Sequence, residues 1–260
     1  MNKNYYSMLD QPHVLSHLFH PRVEDNFRQE NCNREDIMIH IEKDIYVGAS
    51  FHFVSNDAPV VLFFHGNGEI VSDYDDLGGL YNEIGINFFV VDYRGYGKST
   101  SSPSVTSMMN DCLIIFDFIL GYMVEKKLKG TLSVMGRSLG SASAIEICAA
   151  READFKCLII ESGFAKISPL LQKLGINSQA IGLHEQKEFE NIGKIKLFSK
   201  PCLVIHAEFD HIIPFSDGKA LFDACGSSDK MLLQIKGANH NDIFLKGMNQ
   251  YMEHIKKICL

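Results

Sequence analysis

The chain has 260 residues, of which 46% are hydrophobic, 10% aromatic and 22% charged, with a formal net charge of −7. That apolar content excludes a mainly disordered, collagen-like or coiled-coil chain, and the length is compatible with one α/β domain. The acidic total offers no general footprint for phosphate backbones or anionic membranes, so nucleic acid is not an expected partner.

The first residues, MNKNYYSMLDQPHVLSHLFHPR, hold no uninterrupted apolar core of a leader, and no stable membrane anchor is expected. In chain order, IMIHI (37–41) and YVGASFHFV (46–54) predict a hairpin that turns at Glu42, Lys43 and Asp44. VVLFFHG, INFFVVDY, TLSVMGRS, CLIIESG, CLVIHAE and MLLQIKG follow as continuous apolar runs bounded by Gly, Pro, Asp or Asn, as strands buried on both faces require. Helical spacing occupies residues 74–84, 105–127, 139–150, 217–224 and 242–257. This alternation predicts a single α/β domain over 1–260: a mostly parallel central sheet, an N-terminal antiparallel hairpin, and helices on both faces. Residues 164–200 are longer than one crossover helix needs and are expected to form a small cap-like connection, too short for a large lid domain. Its apolar residues Phe164, Ile167, Leu170, Leu171 and Leu174 either line an open groove or are buried in the core.

The cysteines, Cys32, Cys112, Cys148, Cys157, Cys202, Cys225 and Cys259, are scattered, odd in number and form no C-x-x-C pair. Neither a disulfide framework nor a zinc site is expected; they read as small buried hydrophobes in a reducing compartment, most simply the cytoplasm.

The most informative fragment runs from strand TLSVM through Gly136-Arg137-Ser138-Leu139-Gly140 into a helix, the G-x-S-x-G elbow in its strand-turn-helix context. A serine on so sharp a turn needs neighbours without bulk, which Gly136 and Gly140 supply. The turn lifts the Ser138 hydroxyl above the sheet and sets the Leu139 N–H at a helix N-terminus, where partial positive charge stabilises an oxyanion. A serine hydroxyl is a weak nucleophile until a base takes its proton, and the base in turn needs a carboxylate to orient it. His240, in QIKGANHND between the last strand and the last helix, is the expected base, with His211 a weaker second candidate. His206, inside LVIHAEFD, reads as a packed or strand-end residue, and His13, His17, His20, His40, His52, His184 and His254 as surface or packing residues. Asp210, in the polar loop after CLVIHAE, is the expected acid, with Glu208 the alternative. The loop His65-Gly66-Asn67-Gly68 should supply the second oxyanion donor from Asn67, or alternatively Gly68, while His65 shapes the loop. The Gly-rich turn VVDYRGYGKS lacks either phosphate-cradle spacing, so nucleotide binding is not expected.

FFHGNG, VVDYRGYGKS, GRSLGS, IHAEFDHIIP and GANHND together resemble, in order, the oxyanion loop, following turn, elbow, acid loop and histidine loop of the alpha/beta-hydrolase superfamily, from about residue 35 to the C-terminus. The order Ser138, Asp210, His240 is that of this superfamily. The HGN and DYRGYG-S pairing looks like its small, lid-poor abhydrolase-domain branch, which includes protein depalmitoylases and lysophospholipid lipases. The resemblance implies that Asp92, Arg94 and Gly97 shape the loop behind the site. The chain departs from some members in lacking an N-terminal cysteine cluster.

These residues point to a serine hydrolase acting on a small-molecule carboxylic ester or thioester through a covalent acyl-enzyme. Peptide or amide hydrolysis by the same triad, or a catalytically idle binding protein on the same fold, are the alternatives. No metal or organic cofactor is expected, and oligomeric state is not legible. An aspartate at position 138 would have implied dehalogenase chemistry instead.

Overall fold

The structure, a computed structural model, describes residues 3–24, 33–183 and 189–260, so Cys32 and His184 lie outside the described residues. The apolar runs form strands: β1 (Arg34–Glu42), β2 (Ile45–His52), β3 (Val60–Phe64), β4 (Asn87–Val91), β5 (Leu132–Arg137), β6 (Leu158–Glu161), β7 (Cys202–Ala207) and β8 (Lys230–Ile235). They make one sheet ordered β1-β2-β4-β3-β5-β6-β7-β8. β1 is antiparallel to β2 and β2 to β4, and the remaining pairs are parallel.

Period-two alternation within a strand buried on both faces divides its side chains between two cores. Val60, Leu62 and Phe64 of β3 join Met109, Phe116 and Ile145 on one side, where α3 (Val105–Glu125) and α4 (Gly140–Arg151) pack. Val61 and Phe63 join Tyr81 and Tyr251 on the other, under α2 (Asp75–Glu83) and α8 (Ile243–Cys259). By length and composition α3 could cross a membrane. Here its apolar stripe, from Val105 through Met109, Cys112, Phe116 and Ile119, is spent on the core instead. Its N-terminus is capped by Ser104, whose hydroxyl accepts the Ser107 N–H at 3.0 Å. Cys112, Cys148, Cys157, Cys202, Cys225 and Cys259 are buried.

One feature was not anticipated. An N-terminal arm folds as a 3₁₀ helix (Lys3–Leu9) packed against α3, followed by a short α1 (Pro12–Leu18). Of the connection over 164–200, α5 (Ile167–Lys173) and α6 (Asn191–Ile195) are the helices among the described residues; Phe164 and Leu170 border a small hollow against the acid loop, but most of its apolar surface is buried. Phe164, Ile167 and Leu171 belong to the core, with Leu170 and Leu174 half-buried against it, because a short amphipathic helix beside the sheet has its apolar face covered by that sheet's own helices. The connection also braces the acid loop and the helix after it, α7 (Phe215–Ala224): Lys173 Nζ donates to the Ile212 carbonyl at 3.0 Å, and the Ala165 N–H to Asp217 at 2.8 Å.

Candidate active site

Parallel strands gather their following loops at one edge of the sheet, which is where all five motif loops lie. β5 ends at Arg137 and the chain turns through Ser138 at φ 50°, a left-handed conformation that costs an L residue roughly 1–3 kcal/mol. The Ser138 N–H donates to the Glu161 carbonyl at 2.8 Å, and its own carbonyl accepts the Ser141 hydroxyl at 2.6 Å. Both flanking glycines are required by close approach: a Cβ at Gly136 would run into the Gly140 carbonyl, and one at Gly140 into that of Phe64. The second contact seats the elbow against the end of β3, where the oxyanion loop begins.

The histidine loop follows β8, three strands from β5, yet folds back far enough to bring His240 Nε2 within 3.2 Å of Ser138 Oγ. His240 Nδ1 lies 2.7 Å from Asp210 Oδ2. The other carboxylate oxygen accepts the N–H groups of Ile212 at 3.0 Å and Ile213 at 2.8 Å. Burial alone would raise the Asp210 carboxyl, but the hydrogen bond and charge of His240, with the Ile213 N–H, outweigh it and hold the group below its ordinary value. An ionised carboxylate only accepts, so the His240 proton sits on Nδ1 and Nε2 is left to accept from the serine hydroxyl.

The alternatives are placed elsewhere. Glu208 accepts the Gly237 N–H at 2.8 Å, and His211 is exposed. His206 is fully buried and donates from Nε2 to the Ile213 carbonyl at 2.9 Å, bracing the acid loop from beneath. Burial holds its imidazole below the ordinary value, so it stays neutral 3.5 Å from Asp210. His13, His17 and His40 are exposed, and His52 is packed beneath α2.

In the oxyanion loop His65 is buried, with Nε2 3.1 Å from Asp92 Oδ1, an oxygen that also accepts the Val71 N–H at 3.0 Å. A Cβ at Gly97 would strike the same Asp92 carboxylate, so Asp92 and Gly97 do sit behind the loop. Arg94 points away, to Asp111 at 2.7 Å and Glu42 at 2.8 Å, and ties the turn to α3 and the hairpin. The Asn67 side chain meets His20 and Tyr96, neither of which carries a motif signal.

Sequence reasoning also missed a largely buried charge cluster beneath the elbow. Arg137 Nε donates to Glu69 at 3.0 Å, Nη1 lies 3.4 Å from Glu161, and Nη2 donates to the His240 carbonyl at 3.2 Å. Glu69 also accepts the Gly66 N–H at 2.6 Å and the Tyr74 hydroxyl at 2.5 Å; Glu161 accepts the Tyr251 hydroxyl at 2.6 Å. Burial would raise both carboxyls. At Glu69 the Arg137 charge and the hydrogen bonds prevail and the value falls, whereas at Glu161 burial prevails and it rises. One guanidinium thus links elbow, oxyanion loop and histidine loop. The available signal was Glu161 itself, a charge closing the apolar run CLII. Among the described residues no cluster of His, Cys, Asp or Glu is arranged to hold a metal ion.

A serine on a strained strand-to-helix turn, backed by a buried histidine and carboxylate at the carboxyl edge of such a sheet, defines the alpha/beta-hydrolase class. Residues 55–184 match the family described as serine aminopeptidase S33, and the chain belongs to the alpha/beta-hydrolase family. It is 30% identical over 192 residues to protein bem46 of Schizosaccharomyces pombe, a match covering 72% of this chain and 63% of the relative. With human alpha/beta hydrolase domain-containing protein 17B it shares 31% over 206 residues, covering 76% and 65%. The matches span about two thirds of the length of these relatives. Among solved structures, a Pyrococcus furiosus esterase superposes with TM-score 0.72 at 14% identity, covering 92% of this chain and 97% of its own. A soluble variant of Saccharomyces cerevisiae monoglyceride lipase superposes with TM-score 0.68 at 18% identity, covering 90% and 98%. These two likenesses show the fold.

Proposed function

We propose that the protein is a serine hydrolase that cleaves a carboxylic ester or thioester through a covalent acyl-enzyme. The observation that carries this reading is the unbroken relay from Asp210 through His240 to Ser138, on an elbow whose backbone is strained to present that hydroxyl. In the forward step Ser138 Oγ bonds to the acyl carbon as its proton passes to His240 Nε2, and the carbonyl electron pair moves onto oxygen. The resulting oxyanion is received by the N–H groups of Leu139, at the head of α4, and Asn67. Collapse expels the alkoxide or thiolate, which takes the proton from His240, and water then repeats the sequence to release the acid. Asp210 stabilises the imidazolium throughout. A yeast structural relative, a monoglyceride lipase holding a substrate analogue, supports an ester over an amide.

A fluorophosphonate probe tests the reading directly. Wild type should be labelled and Ser138→Ala should not, with turnover of p-nitrophenyl butyrate lost in parallel; His240→Ala should cost about as much, since triad members act as a unit. An unlabelled wild-type protein would support an idle hydrolase fold, and labelled Ser138→Ala would reassign the nucleophile. The aminopeptidase description of the matching family favours a second reading, amide hydrolysis by the same residues. Turnover of aminoacyl p-nitroanilides above that of the butyryl ester would select it.

A further inference from the structure

The N-terminal arm is pinned to the hydrolase body at successive points. The Tyr6 hydroxyl donates to Glu146 at 3.1 Å and accepts from Lys194 at 2.9 Å. Asp10 caps α3 by accepting the Val105 and Thr106 N–H groups at 2.8 and 3.2 Å. Leu9, Val14, Leu18 and Phe19 are buried. Beyond them, the Gly97 N–H donates to the Arg22 carbonyl at 2.8 Å, and Val23 pairs with Gly97. Between these anchors the arm passes the oxyanion loop at His20.

Asn67 meets the arm with its whole side-chain amide. Oδ1 accepts the His20 backbone N–H at 2.8 Å and the Tyr96 hydroxyl at 2.7 Å, while Nδ2 lies 2.9 Å from His20 Nδ1. A backbone N–H can only donate, so the amide orientation is determined: Nδ2 donates to His20 Nδ1, which places the His20 proton on Nε2. The Tyr96 hydroxyl also accepts the His20 N–H, at 2.9 Å, which closes the set. Asn67 stands between two glycines, Gly66 and Gly68, the latter at φ 76°, so local sterics leave its peptide free to rotate. A donor that stabilises an oxyanion must be held in place before the charge develops.

We infer that His20 is a positioning residue: with Tyr96 it grips the Asn67 amide and thereby fixes the direction of the Asn67 N–H at the oxyanion site. The N-terminal arm, which lies outside the family match over 55–184, is then part of the active site. This rests on the reading of the protein as a serine hydrolase with Asn67 as oxyanion donor.

Four full-length variants test it, assayed with p-nitrophenyl butyrate and by rate of fluorophosphonate labelling, with thermal midpoints to confirm folding. His20→Leu keeps the backbone N–H but loses the Nδ1 acceptor, and should lower kcat by about fivefold to tenfold with KM unchanged. His20→Asn sets an oxygen close to the position of Nδ1 and should restore kcat to within about twofold of wild type. Asn67→Ala, which removes every hydrogen bond of the residue-67 side chain while keeping its N–H, should fall further than His20→Leu, and Tyr96→Phe should resemble His20→Leu. Wild-type kcat in His20→Leu, a change confined to KM, or His20→Asn as impaired as His20→Leu would each overturn the positioning role while leaving the hydrolase reading intact. A wild-type protein that neither labels nor turns over the ester would overturn both.

Discussion

The elbow and the oxyanion loop end adjacent strands, β5 and β3, yet different forces hold them. Sterics over five residues fix the elbow, since the glycines at 136 and 140 admit no side chain and the turn between them has one available path. The oxyanion loop has open space at Gly68, and is held instead by side chains from elsewhere: Glu69 on Gly66, Asp92 on His65, and His20 with Tyr96 on Asn67. A turn fixed locally tolerates change elsewhere in the chain. A loop held at a distance inherits every disturbance of its holders.

The largest effect should come from the third member of the relay. Asp210→Asn keeps the shape, but with its oxygen held by the Ile212 and Ile213 N–H groups its NH2 faces His240 Nδ1, imposing the wrong tautomer and leaving the imidazolium unstabilised, so kcat should fall by up to about ten-thousand-fold, whereas Glu208→Gln should do far less. Steady-state kinetics on both variants measure the ranking, and its reversal would reassign the acid. Next comes the charge cluster that serves elbow and loop alike. Arg137→Met leaves the buried Glu161 and the half-buried Glu69 without their cation, and urea denaturation should show a loss of about 3 kcal/mol. A loss under about 1 kcal/mol would mean the cluster holds nothing.

Paired glycine substitutions put the contrast itself to the test. Gly140→Ala drives a methyl into the Phe64 carbonyl and should cost about 1–3 kcal/mol or more, with activity lost as the elbow shifts. Gly68→Ala finds open space, its nearest neighbour being the His20 Cβ at 3.9 Å, and should cost only the roughly 1–2 kcal/mol of a left-handed backbone. Equal costs would erase the distinction.

The smallest effect is on pH dependence. His206 and Asp210 both have folded-state values below their ordinary 6.5 and 3.8, so the unfolded chain binds more protons at each. The stability each contributes is therefore present above its ordinary value and is lost as pH falls toward the depressed one, by at most about 1.4 kcal/mol per pH unit for each proton. The first stage should begin near pH 6.5 from His206 and the second near 3.8 from Asp210. His206→Gln retains a donor for the Ile213 carbonyl without titrating, so urea melts between pH 4.5 and 8 should show the first stage flattened. An unchanged slope would assign it to other histidines.

The same division separates what was legible in the sequence from what was not. The six apolar runs, the elbow and the histidine and acid loops carry their cause within a few residues, and β3 through β8 fall where those runs lie. The N-terminal arm carries none: of the seven residues in α1 only Val14 and Leu18 are buried, and the partner that makes Asp10 useful is the start of α3, 95 residues on. Arg137 reads as an indifferent letter between the glycine and serine of the motif, because its value depends on Glu69 and Glu161 converging on it from two other strand ends. The alternatives for Phe164, Ile167 and Leu171 were undecidable for a related reason, since apolar spacing names a face but not what will cover it.

The left-handed backbone at Ser138 has an evolutionary consequence. Position 138 is one where glycine, free of the Cβ clash, would make a sturdier protein than serine does: Ser138→Gly should raise the melting temperature as it abolishes chemistry. Selection for durability alone would therefore erode the hydroxyl at this site, so a serine retained there is a record of selection for something other than folding.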